Sequence, residues 1–191
     1  YKDEKNLDLF DYNNYILSVV SCVKYHNIIN LLKAFKLLKR SSLYKLKFVL
    51  IIQVLDRNYF LEIKKYVKTN FKKNEIIFYH NLHSDYLINL YKKAKFYIFS
   101  SYCEVFGFTS LEAMSQRCPV LISKKSALPE INSDSAGYFD PDNVENISVM
   151  MKKIISNIEY RNNLIDKGNI RHKKFDWSKT VGNTIKIIEK L

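Results

Sequence analysis

Two carboxylates eight positions apart flank a glycine in the middle of the chain. Glu104 follows an apolar run of strand character, Glu112 lies in a helical pattern, and Gly107 lies between them. Since the chain has only four glycines in 191 residues, this glycine indicates a sharp turn or a close approach to a ligand. Carboxylates accept hydrogen bonds from hydroxyl groups, and amides at a helix N-terminus favour an anion such as a diphosphate. The spacing therefore predicts a ligand-binding loop.

Each of the two carboxylates also has a plain structural alternative. Glu104 is either a ligand-binding group that points into a crevice or a solvated loop acid. Glu112 closes the Thr-Ser-Leu-Glu pattern of residues 109–112, which is typical of a capping box, and local sequence alone favours that role. Between the two acids, the backbone amides of residues 105–108 precede the helix and form the predicted anion site.

The elements around this loop alternate between buried strands and amphipathic helices. Apolar runs with strand character occur at residues 15–20, 48–54, 76–79, 96–100 and 120–123. Helical periodicity follows the first four of them, and three later helices complete the set: 28–38, 59–69, 84–93, 109–116, 144–158, 160–168 and 178–191. This alternation predicts a parallel sheet covered by helices on both faces. The last helix is expected to pack on the sheet or to reach a neighbouring domain.

The loops at the carboxyl ends of the strands are the expected place for a ligand. They comprise residues 21–27, 80–84, 100–109 and 123–130. A Gly-x-Gly-x-x-Gly fingerprint and a Gly-Lys-Ser/Thr phosphate loop are both absent from the sequence, so we expect neither a standard NAD or ATP site nor a cofactor. His80 and His83 lack Cys, Asp or Glu partners at ligand spacing, which favours loop residues over a metal site.

Composition places the chain among globular proteins, as one domain or as a domain with a tail. The net charge is +12, but the lysines are scattered and the tyrosines and phenylalanines are spread through strands and helices. That pattern favours a solvated surface over nucleic-acid binding. Three cysteines without a Cys-x-x-Cys pair indicate a reducing compartment, and hence the cytoplasm. No apolar run reaches the length of about 18 residues that spans a bilayer, and no signal-peptide pattern is present.

Four ordered landmarks carry a resemblance to a known family. They are SSYCEVFGFTSLEAMSQRCPV at residues 100–120, KKSALPEI at 124–131, AGYFDPDN at 136–143 and FDW at 175–177. Together they resemble the retaining GT-B glycosyltransferases of the family 4 type, in which two acids are spaced as Glu-x7-Glu. The resemblance implies a Rossmann-like α/β domain, the C-terminal, donor-binding half of a GT-B fold.

The resemblance also implies a domain organisation and an activity. Residues 15–191 would bind a nucleotide-sugar, and residues 1–14 would be a linker remnant from a missing N-terminal acceptor domain. Such an enzyme transfers a hexosyl group, without a metal, from a nucleotide-diphospho-sugar to a glycan or lipid-linked acceptor. Cell-surface glycan or lipopolysaccharide synthesis is the common setting, and peripheral association with the inner face of the membrane fits it. The isolated half is expected to be inactive.

The site residues implied by the resemblance fall in three loops. Glu104 would contact the sugar during catalysis, and Glu112 would bind the ribose hydroxyls, which reverses the preference for a helix cap. Lys24 and His26 would neutralise the departing diphosphate. The remaining donor-binding positions are Ser21, His80, Asn81, Leu82, Val105, Phe106, Gly107, Phe108 and Thr109.

Two segments depart from the family pattern. In the first loop, Ser21 stands roughly where an arginine is frequent and His26 stands where a lysine is usual. Neutral imidazole supplies one donor rather than a full charge, although an adjacent diphosphate favours its protonated form. Further along, Arg117 precedes Cys118 where a glycine is usual, which predicts a backbone cost. The unusual clamp leaves an alternative, a degenerate half that serves as an interaction or scaffold domain.

Overall fold

A sheet of six parallel strands forms the centre of the protein. The computed structural model describes residues 14–41, 45–80 and 82–190, and within these residues the strand order is β3-β2-β1-β4-β5-β6. The strands are β1 Tyr15–Ser21, β2 Lys47–Gln53, β3 Ile76–Tyr79, β4 Phe96–Phe99, β5 Val120–Ser123 and β6 Gly137–Phe139. Every neighbouring pair is parallel, which confirms the predicted α/β class.

The strand order reverses between β1 and β4. β1 pairs with β2 along its whole length, and with β4 at Ile16↔Phe96 and Leu17↔Tyr97. From this pair the chain extends the sheet one way through β2 and β3, and the other way through β4, β5 and β6. Right-handed crossovers in opposite directions place their helices on opposite faces. The loops after β1 and β4 therefore separate and leave a crevice, which is where open parallel sheets bind their ligands.

Helices cover both faces of the sheet, as predicted. The helices of the described residues are α1 Ile28–Ser41, α2 Arg57–Asn70, α3 Ser84–Lys93, α4 Phe108–Ser115, α5 Leu128–Asn132, α6 Val144–Ser156, α7 Ile158–Arg171 and α8 Trp177–Ile188. The burial of β4 shows why its sequence is continuously apolar. Successive strand residues face opposite sides, and all four residues of Phe96–Phe99 are buried.

The sequence prediction missed two short elements and extended one helix too far. β6 and α5 were not predicted, because three and five residues are too few to show a period. The helix predicted at 144–158 ends at Ser156, since Asn157 is extended and its side chain accepts a hydrogen bond from the amide of Tyr160. The Asn157 cap therefore places Ile158 at the start of α7, whereas the apolar pattern placed it at the end of the preceding helix.

Arg117, which stands where the family usually has a glycine, has the strained backbone conformation that the sequence predicted. Arg117 adopts a left-handed conformation with φ of 57°. A residue with a Cβ in this region is about 1–2 kcal/mol less stable than in the right-handed region. The turn is nevertheless formed, because the Arg117 amide donates to the carbonyl of Met114 and the Cys118 amide donates to that of Ala113.

The last helix does not pack on the sheet. None of the residues of α8 is buried, and Trp177 at its start is 74% exposed. Packing on the sheet was therefore the wrong expectation, whereas contact with a neighbouring domain stays a prediction. No helix within the described residues is long and apolar enough to cross a bilayer. Residues 1–13 lie outside the described residues, so the linker interpretation of 1–14 also stays a prediction.

Candidate active site

A cavity of about 630 Å³ opens at the carboxyl ends of β1, β2 and β4. It occupies the crevice predicted between the loops that follow β1 and β4. Its lining residues are Val19, Val20, Ser21, Tyr25, His26, Ile51, Ile52, Gln53, Leu82, Phe99, Glu104, Val105, Phe106, Gly107, Phe108 and Thr109. The fold thus brings together most of the residues that the sequence singled out.

Gly107 shapes the wall of the cavity where α4 begins. It is the N-terminal cap residue of that helix and has φ of 84°, a conformation that glycine adopts without strain. A Cβ atom at this position would lie 2.6 Å from Cδ2 of Leu128. The hydroxyl of Ser110 donates to the Gly107 carbonyl at 2.8 Å and fixes the turn. Gly107 therefore lets the chain turn into α4 against Leu128, and the first residues of that helix, Phe108 and Thr109, line the cavity.

The side chains of His26 and Glu104, which both line the cavity, are in direct contact. The Nε2 atom of His26 lies 3.1 Å from Oε1 of Glu104. The Nδ1 atom lies 3.0 Å from the Ser21 amide nitrogen and 2.8 Å from the Ser21 carbonyl oxygen. His26 is only 7% exposed, and its ring edge-packs against Phe99 and Tyr25. Both ring nitrogens therefore have partners, and the imidazole holds the Glu104 carboxylate in place.

The backbone around His26 is fixed by residues of two other loops. Asn27 has φ of 56°, and its amide group donates to the carbonyl of Pro141 at 2.7 Å. The hydroxyl of Ser100, at the end of β4, donates to the carbonyl of His26 at 2.7 Å. The Tyr102 amide donates to the carbonyl of Tyr25 at 2.8 Å. These bonds tie the β1–α1 loop to the loop that carries Glu104.

Glu104 is also fixed through its own main chain. The hydroxyl of Ser126 donates to the Glu104 carbonyl at 2.7 Å and accepts from the Glu104 amide at 3.1 Å. The Glu104 side chain is 20% exposed. It is therefore not the solvated loop acid of the alternative interpretation, because it has a buried partner and faces the cavity.

Glu112 does not form the capping box that local sequence favoured. α4 begins at Phe108, one residue earlier than predicted, and its cap residue Gly107 has no side chain to take part. Oε2 of Glu112 instead accepts a hydrogen bond from the Tyr91 hydroxyl at 3.1 Å. Burial raises the pKa of the Tyr91 hydroxyl well above its ordinary value, so it remains a donor. The capping interpretation was wrong, and the exposed carboxylate of Glu112 lies outside the residues that line the cavity.

A second buried tyrosine holds Thr109, which lines the cavity. The Tyr97 hydroxyl donates to Oγ1 of Thr109 at 2.7 Å. Burial is the main cause of the raised pKa of Tyr97, which keeps this hydroxyl protonated. The first turn of α4 is thus attached to β4 by a side-chain bond as well as by the chain.

Lys24 does not line the cavity. Lys24 is exposed, and within the described residues the lining contains neither a lysine nor an arginine. The described part of the chain also contains no group of three or more His, Cys, Asp or Glu side chains placed to hold a metal ion. Of the two cationic residues predicted for the diphosphate, only His26 is in the cavity.

Residues of the β3–α3 loop line two different cavities. Leu82 lines the main cavity. His80 lines a neighbouring cavity of about 470 Å³, and its Nδ1 atom lies 2.8 Å from the Ile52 carbonyl oxygen. Asn81 lies outside the described residues, so its predicted role in donor binding stays untested. Of the described donor-binding positions predicted in this loop, Leu82 lines the main cavity and His80 does not.

Sequence reasoning missed several cavity residues, of which Tyr25 and Gln53 are polar. Gln53 is the last residue of β2, and the sequence pattern extended that strand to Val54. Tyr25 lies in a short 3-10 turn, Lys24–His26, which has no sequence signature. The rule that ligands bind at the carboxyl ends of strands identifies Gln53 once the strand end is known.

Comparison with known proteins gives a family for this arrangement. The family model described as glycosyl transferases group 1 matches residues 2–171. The chain belongs to this family. The predicted family is therefore confirmed at the level of group 1, and the matched residues include the first three landmarks but not FDW at 175–177.

Relatives and solved structures of group 1 glycosyltransferases agree with this assignment. The chain is 27% identical over 168 residues to the serotype-specific mannosyltransferase WbdA of Escherichia coli, with 88% of this chain and 21% of the relative covered. It is 27% identical over 173 residues to the O-antigen chain mannosyltransferase RfbU of Salmonella typhimurium, with 89% and 46% covered. The chain thus spans less than half the length of these two relatives.

Among solved structures, the C-terminal domain of the group 1 protein LpcC from Francisella tularensis has the same fold. Its TM-score is 0.71 at 22% identity, and the match covers 81% of this chain and 82% of that domain. At this identity the likeness is evidence of fold. It confirms the expected C-terminal half of a GT-B architecture.

Proposed function

We propose that the cavity binds a nucleotide-diphospho-sugar and that the chain is the donor-binding half of a retaining glycosyltransferase. One observation carries the proposal: Glu104 and the first residues of α4, Phe108 and Thr109, line one cavity at the switch point of the sheet. Such a cavity suits a ligand that has both hydroxyl groups and an anionic diphosphate. Membership of the group 1 family supports the same class of reaction.

Transfer of a glycosyl group separates charge in the transition state. Positive charge develops on the sugar ring and negative charge on the departing diphosphate. In the proposal, the Glu104 carboxylate accepts hydrogen bonds from the sugar hydroxyls and stabilises the positive ring, while the α4 amides stabilise the leaving group. The Nε2 contact of His26 holds the Glu104 carboxylate in place. These residues and amides form the basis for proposing a reaction without a metal ion.

Glu112 is proposed to bind the ribose of the donor from the rim of the site. Its carboxylate is exposed and is held by the buried Tyr91 hydroxyl, so it has a free oxygen towards solvent. A carboxylate accepts the two neighbouring hydroxyls of a ribose in a bidentate manner.

Replacement of Glu112 by alanine is expected to weaken nucleotide binding about tenfold to a hundredfold, which corresponds to the loss of hydrogen bonds to a charged group. The measurement is the dissociation constant of the nucleoside diphosphate by calorimetry. Tyr91→Phe is the matched control, because it keeps the Glu112 carboxylate and removes only the hydrogen bond from the Tyr91 hydroxyl. This variant should weaken nucleotide binding less than Glu112→Ala does. Equal affinity in Glu112→Ala and the unmodified chain would assign Glu112 a structural role alone.

The relatives suggest the donor and the setting. RfbU is named as an O-antigen chain mannosyltransferase and WbdA as a serotype-specific mannosyltransferase. We therefore propose a hexosyl donor of the mannosyl class and a glycan or lipid-linked acceptor in lipopolysaccharide synthesis. An N-terminal domain would bind the acceptor, at the cytoplasmic face of the membrane. The 191-residue chain alone would bind the donor and transfer little.

Calorimetric titration with nucleotides and their sugar conjugates tests the proposal. UDP, GDP and their hexose conjugates are titrated into the chain, with uridine and guanosine as controls that lack the diphosphate. Saturable heat with one of the diphosphates, and none with its nucleoside, is the expected result. Absence of heat with every nucleotide would favour the scaffold alternative.

A further inference from the structure

The neighbouring cavity of about 470 Å³ combines exposed apolar side chains with cations. Val54, Leu55 and Leu61 line it and are 37%, 61% and 51% exposed. Arg57 and Lys64 line the same cavity, and none of its described lining residues is a carboxylate. Exposed apolar groups that lie together mark an interaction surface, and the two cations favour a partner that is anionic. These five residues are called the basic-apolar patch below.

Two elements place the basic-apolar patch at the carboxyl end of the sheet. Val54 and Leu55 lie in the loop between β2 and α2. Arg57, Leu61 and Lys64 are spaced by four and three residues on α2, so they share one face of that helix. Leu61 therefore lies between the two cations along the helix, and the leucine of the loop lies beside the start of the same helix.

The positive charge continues along α2 beyond the cavity. Lys65 and Lys68 are exposed, and α2 contains four cations in all against one carboxylate, Glu62. From Arg57 to Lys68 the helix rises about 16 Å. That span is too long for one compact phosphate ligand, but it suits a surface on which many anionic headgroups lie side by side. Basic residues next to exposed leucines are typical of surfaces that bind an anionic bilayer.

We infer that the basic-apolar patch docks on a bilayer of anionic phospholipid. Leu55 and Leu61 enter the headgroup region, which removes apolar area from water, while Arg57 and Lys64 lie against the lipid phosphates. The docking does not depend on the proposed function and goes beyond it. His80 lines this cavity and Leu82 of the same loop lines the donor cavity, so a docked chain would hold the donor cavity beside the membrane.

Co-sedimentation with lipid vesicles tests the docking on the unmodified chain. Vesicles of phosphatidylglycerol and phosphatidylcholine in equal parts are compared with vesicles of phosphatidylcholine alone, at one low salt concentration. Binding to the anionic vesicles and not to the neutral ones is the expected result. The double variant Leu55→Ser, Leu61→Ser keeps the net charge and should weaken this binding about tenfold, because less apolar area is then buried.

A second double variant tests the cations of the patch. Arg57→Gln with Lys64→Gln should weaken binding to the anionic vesicles about thirtyfold, since each cation near such a surface contributes about fivefold. Lys33→Gln with Lys152→Gln is the matched control, because both lysines are exposed, lie outside this cavity and remove the same charge. The control should weaken binding far less, since charges away from the contact are screened.

The outcomes separate the patch from the rest of the surface. An equal loss in the two charge variants would make the net charge of +12 responsible and would overturn the inference. Undiminished binding by the leucine variant, with loss in Val181→Ser, Ile185→Ser, would place the contact on the exposed apolar face of α8 and would also overturn it. Failure of the unmodified chain to bind anionic vesicles would refute the docking and leave the proposed function to the nucleotide titration. The charge variants decide the question even if the leucine variant folds poorly.

Discussion

Gly107→Ala is expected to destabilise the protein by about 2–5 kcal/mol and to abolish measurable nucleotide binding. The left-handed backbone costs a residue with a Cβ about 1–2 kcal/mol. The new methyl group would also lie 2.6 Å from Cδ2 of the buried Leu128, and overpacking of this kind costs about 1–3 kcal/mol. Relief of the clash would displace the start of α4, where the proposed diphosphate amides lie.

Urea unfolding and calorimetry measure the two effects. Gly182→Ala is the matched control, since Gly182 lies in the exposed helix α8 and a Cβ there would meet nothing within 4 Å. That variant should leave nucleotide binding unchanged and should not lower the free energy of unfolding, because alanine favours a helix interior. A Gly107→Ala variant as stable as the unmodified chain would show that the turn at α4 adapts, and the account of this wall would be wrong.

Glu104→Gln is expected to lower the turnover of the whole enzyme by about 10²–10³ while it changes nucleotide affinity little. Loss of one preorganised electrostatic group costs about this much in the transition state. The amide keeps the size of the side chain and one accepting oxygen for His26, but it carries no charge to stabilise the positive sugar ring. The rate of glycosyl transfer from the nucleotide-sugar and the KM for that donor are the quantities to measure.

Glu62→Gln provides the matched control, because Glu62 is an exposed carboxylate on α2 outside the cavity. Its kinetics should equal those of the unmodified enzyme. If Glu104→Gln retained full turnover, the assignment of Glu104 to sugar contact would be lost. A rise in the KM for the donor with unchanged turnover would instead place Glu104 in donor binding without a role in the chemical step.

The sheet and the place of the site were predictable because their signals are strong. The continuous apolar runs before Ser100 and at Phe48–Ile52 reflect burial on both faces, and the parallel order then fixes which loops meet. The sequence also predicted that Gly107 forms a sharp turn, because glycine is rare in this chain. These inferences depend on backbone and burial, which local sequence determines well.

The details of the site depended on contacts that local sequence does not contain. The Thr-Ser-Leu-Glu pattern of 109–112 predicts a cap, but the helix begins at Phe108 because Gly107 turns the chain earlier. Glu112 then meets Tyr91, which is 21 residues away in sequence. Likewise, Lys24 and His26 are two residues apart, and only the 3-10 turn decides that the histidine enters the cavity. Each outcome follows from tertiary geometry that overrides a local preference.

The most direct test of the central claim is a map of the nucleotide on the chain. Backbone amide shifts of isotope-labelled protein are followed by NMR during titration with UDP or GDP. The account predicts that the largest shifts occur at Gly107, Phe108 and Thr109 and at Ser21, with smaller shifts around Leu82. Largest shifts at the neighbouring cavity around Phe60 and Lys64, with the α4 amides unaffected, would contradict it.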